Sequence, residues 1–264
     1  STGLHKIIMT SGGTATILLR NSYVTGGLSW TASMYMSIRM QGNLLIFTDN
    51  VNPIRYVNIT KTYTVGSLSQ SMITFVEEPF AAPLKVERIT DGASALTFSI
   101  QYDAYQFSYR IQNDEGFVSV LSPLSETILP VRQSDLTASP YSGNKVKTTL
   151  NFGSVIPSNW QRIDFCVRYL ADNSYFVFKS FFSNIPADVT LVNNHNAGTT
   201  ALTTQFFGNT IEPIDVVSAT KQYESIPIAS KLVEISNNRA IFANNLMGYD
   251  TPSTAASNLT LTAT

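Results

Sequence analysis

Apolar and polar residues alternate with a period of two wherever a pattern can be read along this chain, which puts successive side chains on opposite faces of a pleated strand. Val146-Lys147-Thr148-Thr149-Leu150-Asn151-Phe152 and Ile163-Asp164-Phe165-Cys166-Val167-Arg168-Tyr169 are the plainest cases, and both predict half-buried strands. Runs rich in β-branched and aromatic residues at 84–90, 96–102, 107–112, 175–182 and 228–235 predict further strands. Gly42-Asn43, Asp91-Gly92, Asp114-Glu115-Gly116 and Asn237-Asn238 separate apolar runs with residues that tolerate positive φ or make Asx turns, so each predicts a hairpin or tight connection. Gly12-Gly13 and Gly26-Gly27 read as turns rather than phosphate loops, because no strand-to-helix pattern surrounds them.

Helical periodicity is weak throughout. The best candidate, 214–223, is short and follows Pro213, so it predicts one or two turns at most. The segment 188–210, with Asn193-Asn194-His195-Asn196-Ala197-Gly198, shows no period and reads as a long surface loop able to contact a partner. The expected fold class is therefore all-β. Pro79 and Pro83 bracket a change of texture, after which strands are longer and more regular until Ile185-Pro186. This predicts a domain at 79–187 with about seven strands, the count of an immunoglobulin-like or fibronectin-type sandwich without its paired cysteines. Residues 1–78 and 188–264 are expected to form one other, discontinuous β domain.

Composition changes the picture in one respect. Charged residues make up 13% of the 264, about half the ~25% of an ordinary soluble domain, and the formal net charge is −1. A surface dressed mainly with Ser, Thr, Asn and Gln suits burial against neighbouring subunits better than life as a dispersed monomer. The 17 basic residues are scattered among 18 acidic ones, which argues against a phosphate-neutralising, nucleic-acid-binding role. No apolar run approaches the roughly 18 residues of a spanning helix, so no membrane association is expected.

Candidate chemistry is sparse. The only histidines are His5 and His195, neither in a catalytic motif, and both read as solvated residues. Cys166, the one cysteine, shares a strand face with Asp164 and Arg168 and reads as a packed thiol without an activating partner. Glu77-Glu78 and Asp114-Glu115 are the carboxylate pairs to weigh for glycoside hydrolysis. Sequence neighbours on a strand point to opposite faces, which is poor geometry for an acid and base. Asp49-Asn50-Val51-Asn52-Pro53 offers oxygen ligands for Ca²⁺, set against side chains that cap their own turn. No catalytic, cofactor-binding or metal-binding residue is assigned, and no enzyme or cofactor is expected.

Three stretches together carry a family resemblance. They are 43–56 (NLLIFTDNVNPIRY), then Gln106-Phe107-Ser108-Tyr109-Arg110 with Glu115-Gly116 and Ser122-Pro123-Leu124-Ser125, and last 225–250 from Ser225-Ile226-Pro227 through Asn238-Arg239-Ala240-Ile241-Phe242 to Gly248-Tyr249-Asp250. Their order and spacing resemble the tail nozzle, or muzzle, proteins of short-tailed bacteriophages, especially crAss-like phages. The resemblance implies a propeller-like β ring around the DNA exit channel, carrying inserted immunoglobulin-like domains, in a virion tail. It covers about a third of the chain, and each motif alone is mostly turn residues. Members of that family are much longer. Outside the inserted block, this chain has room for only about three four-stranded blades, short of the roughly four to eight of a closed propeller, so either it is a fragment or several copies complete a ring.

The expected function is thus a structural tail protein (nozzle, muzzle or portal-vertex component) whose partners are other copies of itself and neighbouring virion proteins. The alternative is a carbohydrate-binding or host-adhesion module, for which Trp30, Tyr35, Tyr56, Trp160 and Tyr175 are the candidate sugar-stacking residues. A third reading, a tail depolymerase, depends on the carboxylate pairs.

Overall fold

The computed structural model describes residues 6–11, 14–30, 34, 36–75, 82–90, 100, 103–130, 144–220, 227, 229–237 and 239–246. In chain order the strands are β1 (Lys6–Ser11), β2 (Thr14–Arg20), β3 (Ser37–Gln41), β4 (Leu44–Thr48), β5 (Arg55–Asn58), β6 (Lys85–Thr90), β7 (Tyr105–Asn113), β8 (Asn144–Thr149), β9 (Trp160–Tyr169), β10 (Tyr175–Phe182), β11 (Thr203–Phe206), β12 (Glu212–Ile214), β13 (Ala229–Ser236) and β14 (Arg239–Leu246). The α-helices are α1 (Gln70–Ile73), α2 (Pro186–Asn196) and α3 (Val216–Ala219). All five sheets among the described residues are antiparallel and none closes into a barrel, so the expected all-β class stands.

The chain divides into two compact units, one built from both ends (1–76 and 225–264) and one from the continuous stretch 77–224. The boundary expected at 187 therefore falls at 224. The reason is strand pairing: β11 extends the sheet of β8, and β12 pairs with β10, so 188–214 is built into the second unit. The expected surface loop at 188–210 is instead helix α2 followed by β11.

In the first unit β3, β4 and β5 form a meander whose first connection is the two-residue turn Gly42-Asn43, with Gly42 at φ +56°. Leu19, Leu28, Phe47, Val57 and Ile73 fill its core, where Trp30 meets Phe47 edge-on at 5.8 Å. The β13–β14 hairpin turns at Asn237 (φ +48°) and joins this unit through polar contacts. Ser37 Oγ donates to the Val233 carbonyl and accepts from the Val233 amide, and the Ser230 carbonyl accepts from the Thr48 hydroxyl and the Asn50 amide. The unit's sheets have two, three and two strands among the described residues, so no four-stranded propeller blade is formed by them.

In the second unit two sheets, ordered β12-β10-β9-β7 and β11-β8-β6, share one apolar core. Phe206 of β11 is its hub, with ring centroids 5.3 Å from Tyr105, 5.5 Å from Phe107 and 5.3 Å from Phe178, all edge-on. Aromatic pairs of this kind add about 0.5–1.5 kcal/mol each beyond area burial. β9 is central in its sheet and buried on both faces. Ile163, Phe165 and Val167 point into this core, while Cys166 joins Tyr175, Val177, Ile214 and Ala219 in a smaller cluster on the other face. The predicted turn or two at 214–223 is the single turn α3, capped by Asp215, whose Oδ2 accepts from the Ser218 amide.

Candidate functional site

The outer face of the four-stranded sheet and its β7 edge carry a dense polar organisation. Segment 118–128 runs along the free edge of β7 in a ladder with three of its own residues for every two of the strand. The amides of Ser119, Ser122 and Ser125 donate to the carbonyls of Ile111, Tyr109 and Phe107, each at 2.8 Å. In return the hydroxyls of the same serines accept from the amides of Ile111, Tyr109 and Phe107, each at 3.0 Å. Each hydroxyl then donates to the next residue's own carbonyl. The serine hydroxyl takes the place of the carbonyl that a regular partner strand would present, so a non-strand segment satisfies a strand edge. The ladder ends in a mutual backbone pair between Ile128 and Tyr105. Leu121 and Leu124, one residue before Ser122 and Ser125, pack down on the Cys166 cluster.

Beside this strap lies a network of four charged side chains. Asp164 accepts from Arg162 Nε at 2.6 Å, Arg110 Nε at 2.9 Å and Ser180 Oγ at 2.7 Å. Glu212 Oε1 accepts from Arg162 Nη2 at 2.5 Å and Arg110 Nη2 at 3.3 Å. Burial disfavours the charged form of Arg162, but Asp164 and Glu212 more than offset this and hold its pKa above the usual value. The strand pairing explains the convergence: Arg110 is opposite Asp164 across β7 and β9, and Arg162 lies two residues before Asp164 on the same face. A pocket of about 410 Å³ opens here, lined by Arg110, Arg162 and Asp164 below and by Val118, Val120 and Leu121 on the strap side.

The residues singled out by sequence are scattered, and several are placed differently from expectation. His195 is fully buried rather than solvated. Its Nδ1 accepts from the Leu202 amide at 3.2 Å and its Nε2 lies 2.9 Å from the Ser154 carbonyl, so the Nε2-protonated neutral tautomer satisfies both nitrogens. Phe152 stacks on its ring at 5.7 Å. Cys166 is buried, and desolvation pushes its thiol above the usual range, the behaviour of a packed thiol rather than an activated one. Asp49 is buried and caps its own turn: Oδ1 accepts from the amides of Val51 and Asn52 and Oδ2 from the Asn52 side chain. A cation is already beside it, since Arg55 Nη1 lies 4.0 Å from Oδ2. Burial lowers the Arg55 pKa and Asp49 partly opposes the shift. Asp114-Glu115-Gly116 is the turn after β7, held by Asn113 Oδ1 accepting from the amides of Glu115 and Phe117.

Of the aromatic residues proposed to stack on sugars, Trp30, Tyr56, Trp160 and Tyr175 are all buried in packing roles, which removes them as an exposed platform. His5, Tyr35, Glu77-Glu78, Asp91-Gly92, Gly12-Gly13 and Gly248-Tyr249-Asp250 lie outside the described residues. Among the described residues no three His, Cys, Asp or Glu side chains are grouped to hold a metal, and no helix is long and apolar enough to cross a membrane. The strap and the charged network were not anticipated. The serine spacing 119, 122, 125 was the available signal for the first; the second needed the β7–β9 register.

Compared with protein-family models, curated proteins and solved structures, the chain matches none.

Proposed function

We propose that this chain is a non-enzymatic structural subunit of a phage tail, a nozzle, muzzle or portal-vertex component that joins other copies and neighbouring virion proteins in a ring around the DNA exit channel. The phage assignment rests on the three-part sequence resemblance. The structural observation that best supports an assembly role is the β13–β14 hairpin. β14 pairs only with β13 among the described residues, and Leu232, Ile241 and Leu246 are exposed on the hairpin, the last two at 52% and 59%. Sheet edges with apolar side chains are sites where one chain adds to another, and contacts that close by rotation make a ring. A surface poor in charge lets copies approach without strong repulsion. On this reading the unit at 77–224 is the inserted immunoglobulin-like sandwich, and DNA passes the ring without sequence recognition.

The test has two arms. Sedimentation of the purified chain across a concentration series should give a closed oligomer, and electron microscopy of the source particle with a label on this chain should place it at the tail. A chain that stays monomeric at every concentration and lies away from the tail would overturn the proposal.

A further inference from the structure

We propose that the pocket beside the serine strap is a binding site for one neutral sugar residue. Arg110 and Arg162 each spend Nε and Nη2 on Asp164 and Glu212, and among the described residues neither Nη1 has a protein acceptor. Two amino groups of fixed geometry therefore remain to donate. Gln112 and Ser218, also lining the pocket, can each accept from a ligand, and their own donors are held only by long bonds of 3.4 Å, to the Gly116 carbonyl and Asp215 Oδ2. Val118, Val120, Leu121 and Ile214 supply an apolar wall. A sugar ring presents these features in complement, with hydroxyls that both donate and accept around an apolar C–H face.

Charge decides between a sugar and an acidic group. The network holds two guanidinium groups and two carboxylates, so its formal charge sums to zero. An incoming carboxylate would gain the arginines but meet Asp164 and Glu212 at similar range, since both carboxylates already lie 2.5–3.3 Å from the same guanidinium groups. A neutral polyol meets no such repulsion. Size agrees: about 410 Å³ is at the small end of the roughly 300–1,000 Å³ of ligand sites, room for one pyranose and its linkage rather than a folded peptide. The site is independent of the assembly reading, since all its residues belong to the continuous unit.

Saturation-transfer NMR on the full chain, with methyl glycosides of glucose, galactose, mannose and N-acetylglucosamine as probes, tests this. At least one should bind saturably with Kd on the order of 1 mM. Val118→Trp, which fills the mouth from an exposed position, should weaken binding about tenfold or more with an unchanged unfolding temperature. Arg162→Lys keeps a positive charge by Asp164 but removes the free amino group, and should also weaken binding. It keeps the proposal testable if the tryptophan variant misfolds. No saturable binding by any neutral glycoside, binding undiminished in both variants, or binding of glutarate in preference to them would overturn the site, the last in favour of an acidic peptide.

Discussion

β7 and β14 both lie at the border of an antiparallel sheet, at nine and eight residues, yet they are finished differently. Along β7, four alternate residues from Tyr105 to Ile111 have both backbone groups bonded to the 118–128 strap. β14 has β13 on one side and no partner strand on the other among the described residues. Its only local interruption is Asn244 at φ +55°, a kink of the sort that discourages strand addition at that end and leaves the stretch from Arg239 to Ala243 regular. One unit thus closes its edge internally, using small hydroxyl side chains at a spacing of three. The other leaves an edge whose completion falls to another chain on the assembly reading.

The largest expected effect comes from dismantling the closed edge. Replacing Ser119, Ser122 and Ser125 together by alanine strips three buried β7 amides of their acceptors, at about 1–3 kcal/mol each. Thermal unfolding should show the 77–224 unit lost or shifted far down; a shift no larger than that of a surface alanine would mean the strap is ornamental. His195→Ala comes next, because it removes two buried hydrogen bonds and leaves a cavity, costing about 2–4 kcal/mol. Amide exchange should show the loss confined to the unit containing α2 and β8, sparing β3–β5.

Against these, charging the open edge should leave the fold nearly untouched. Ile241→Lys with Leu246→Lys should change stability by less than about 0.5 kcal/mol per site while abolishing self-association in sedimentation. Unaltered oligomerisation would move the interface elsewhere and remove the contrast between the edges. The smallest effect concerns the exposed pair of Arg39 and Glu234, which fastens β13 to β3 at 2.8 Å. Hydrogen bonding from Arg39 holds the Glu234 carboxyl below the usual carboxylate range. Its contribution is therefore present above the unfolded-state value and is lost as pH falls through the lowered one. In an NMR titration, Arg39→Ala should return Glu234 upward toward the ordinary value, with little change in stability.

Tyr175–Phe182 and the hairpin turns at Gly42-Asn43 and at Asn237 were legible because pairing, burial and turn chemistry agree locally. Helix α2 was not, because the residues it buries, Asp188, Val192 and His195, recur at helical spacing but two of the three are polar. Hydrophobic periodicity cannot register a face whose buried positions are satisfied by hydrogen bonds, here Asp188 to the Phe182 amide and His195 to Leu202 and Ser154.

The amino-acid sequence by itself determined the β class, the strands β6 to β10 and β13, and the low charge content, since these follow from side-chain alternation and composition within a few residues. Only the tertiary structure decided that the second unit extends to 224, that three serines complete the β7 edge, and that Arg110, Arg162, Asp164 and Glu212 meet over one pocket. Each of these depends on strand register between segments from eight to about a hundred residues apart. Register is set by the fit of whole sheets rather than by any local run of residues.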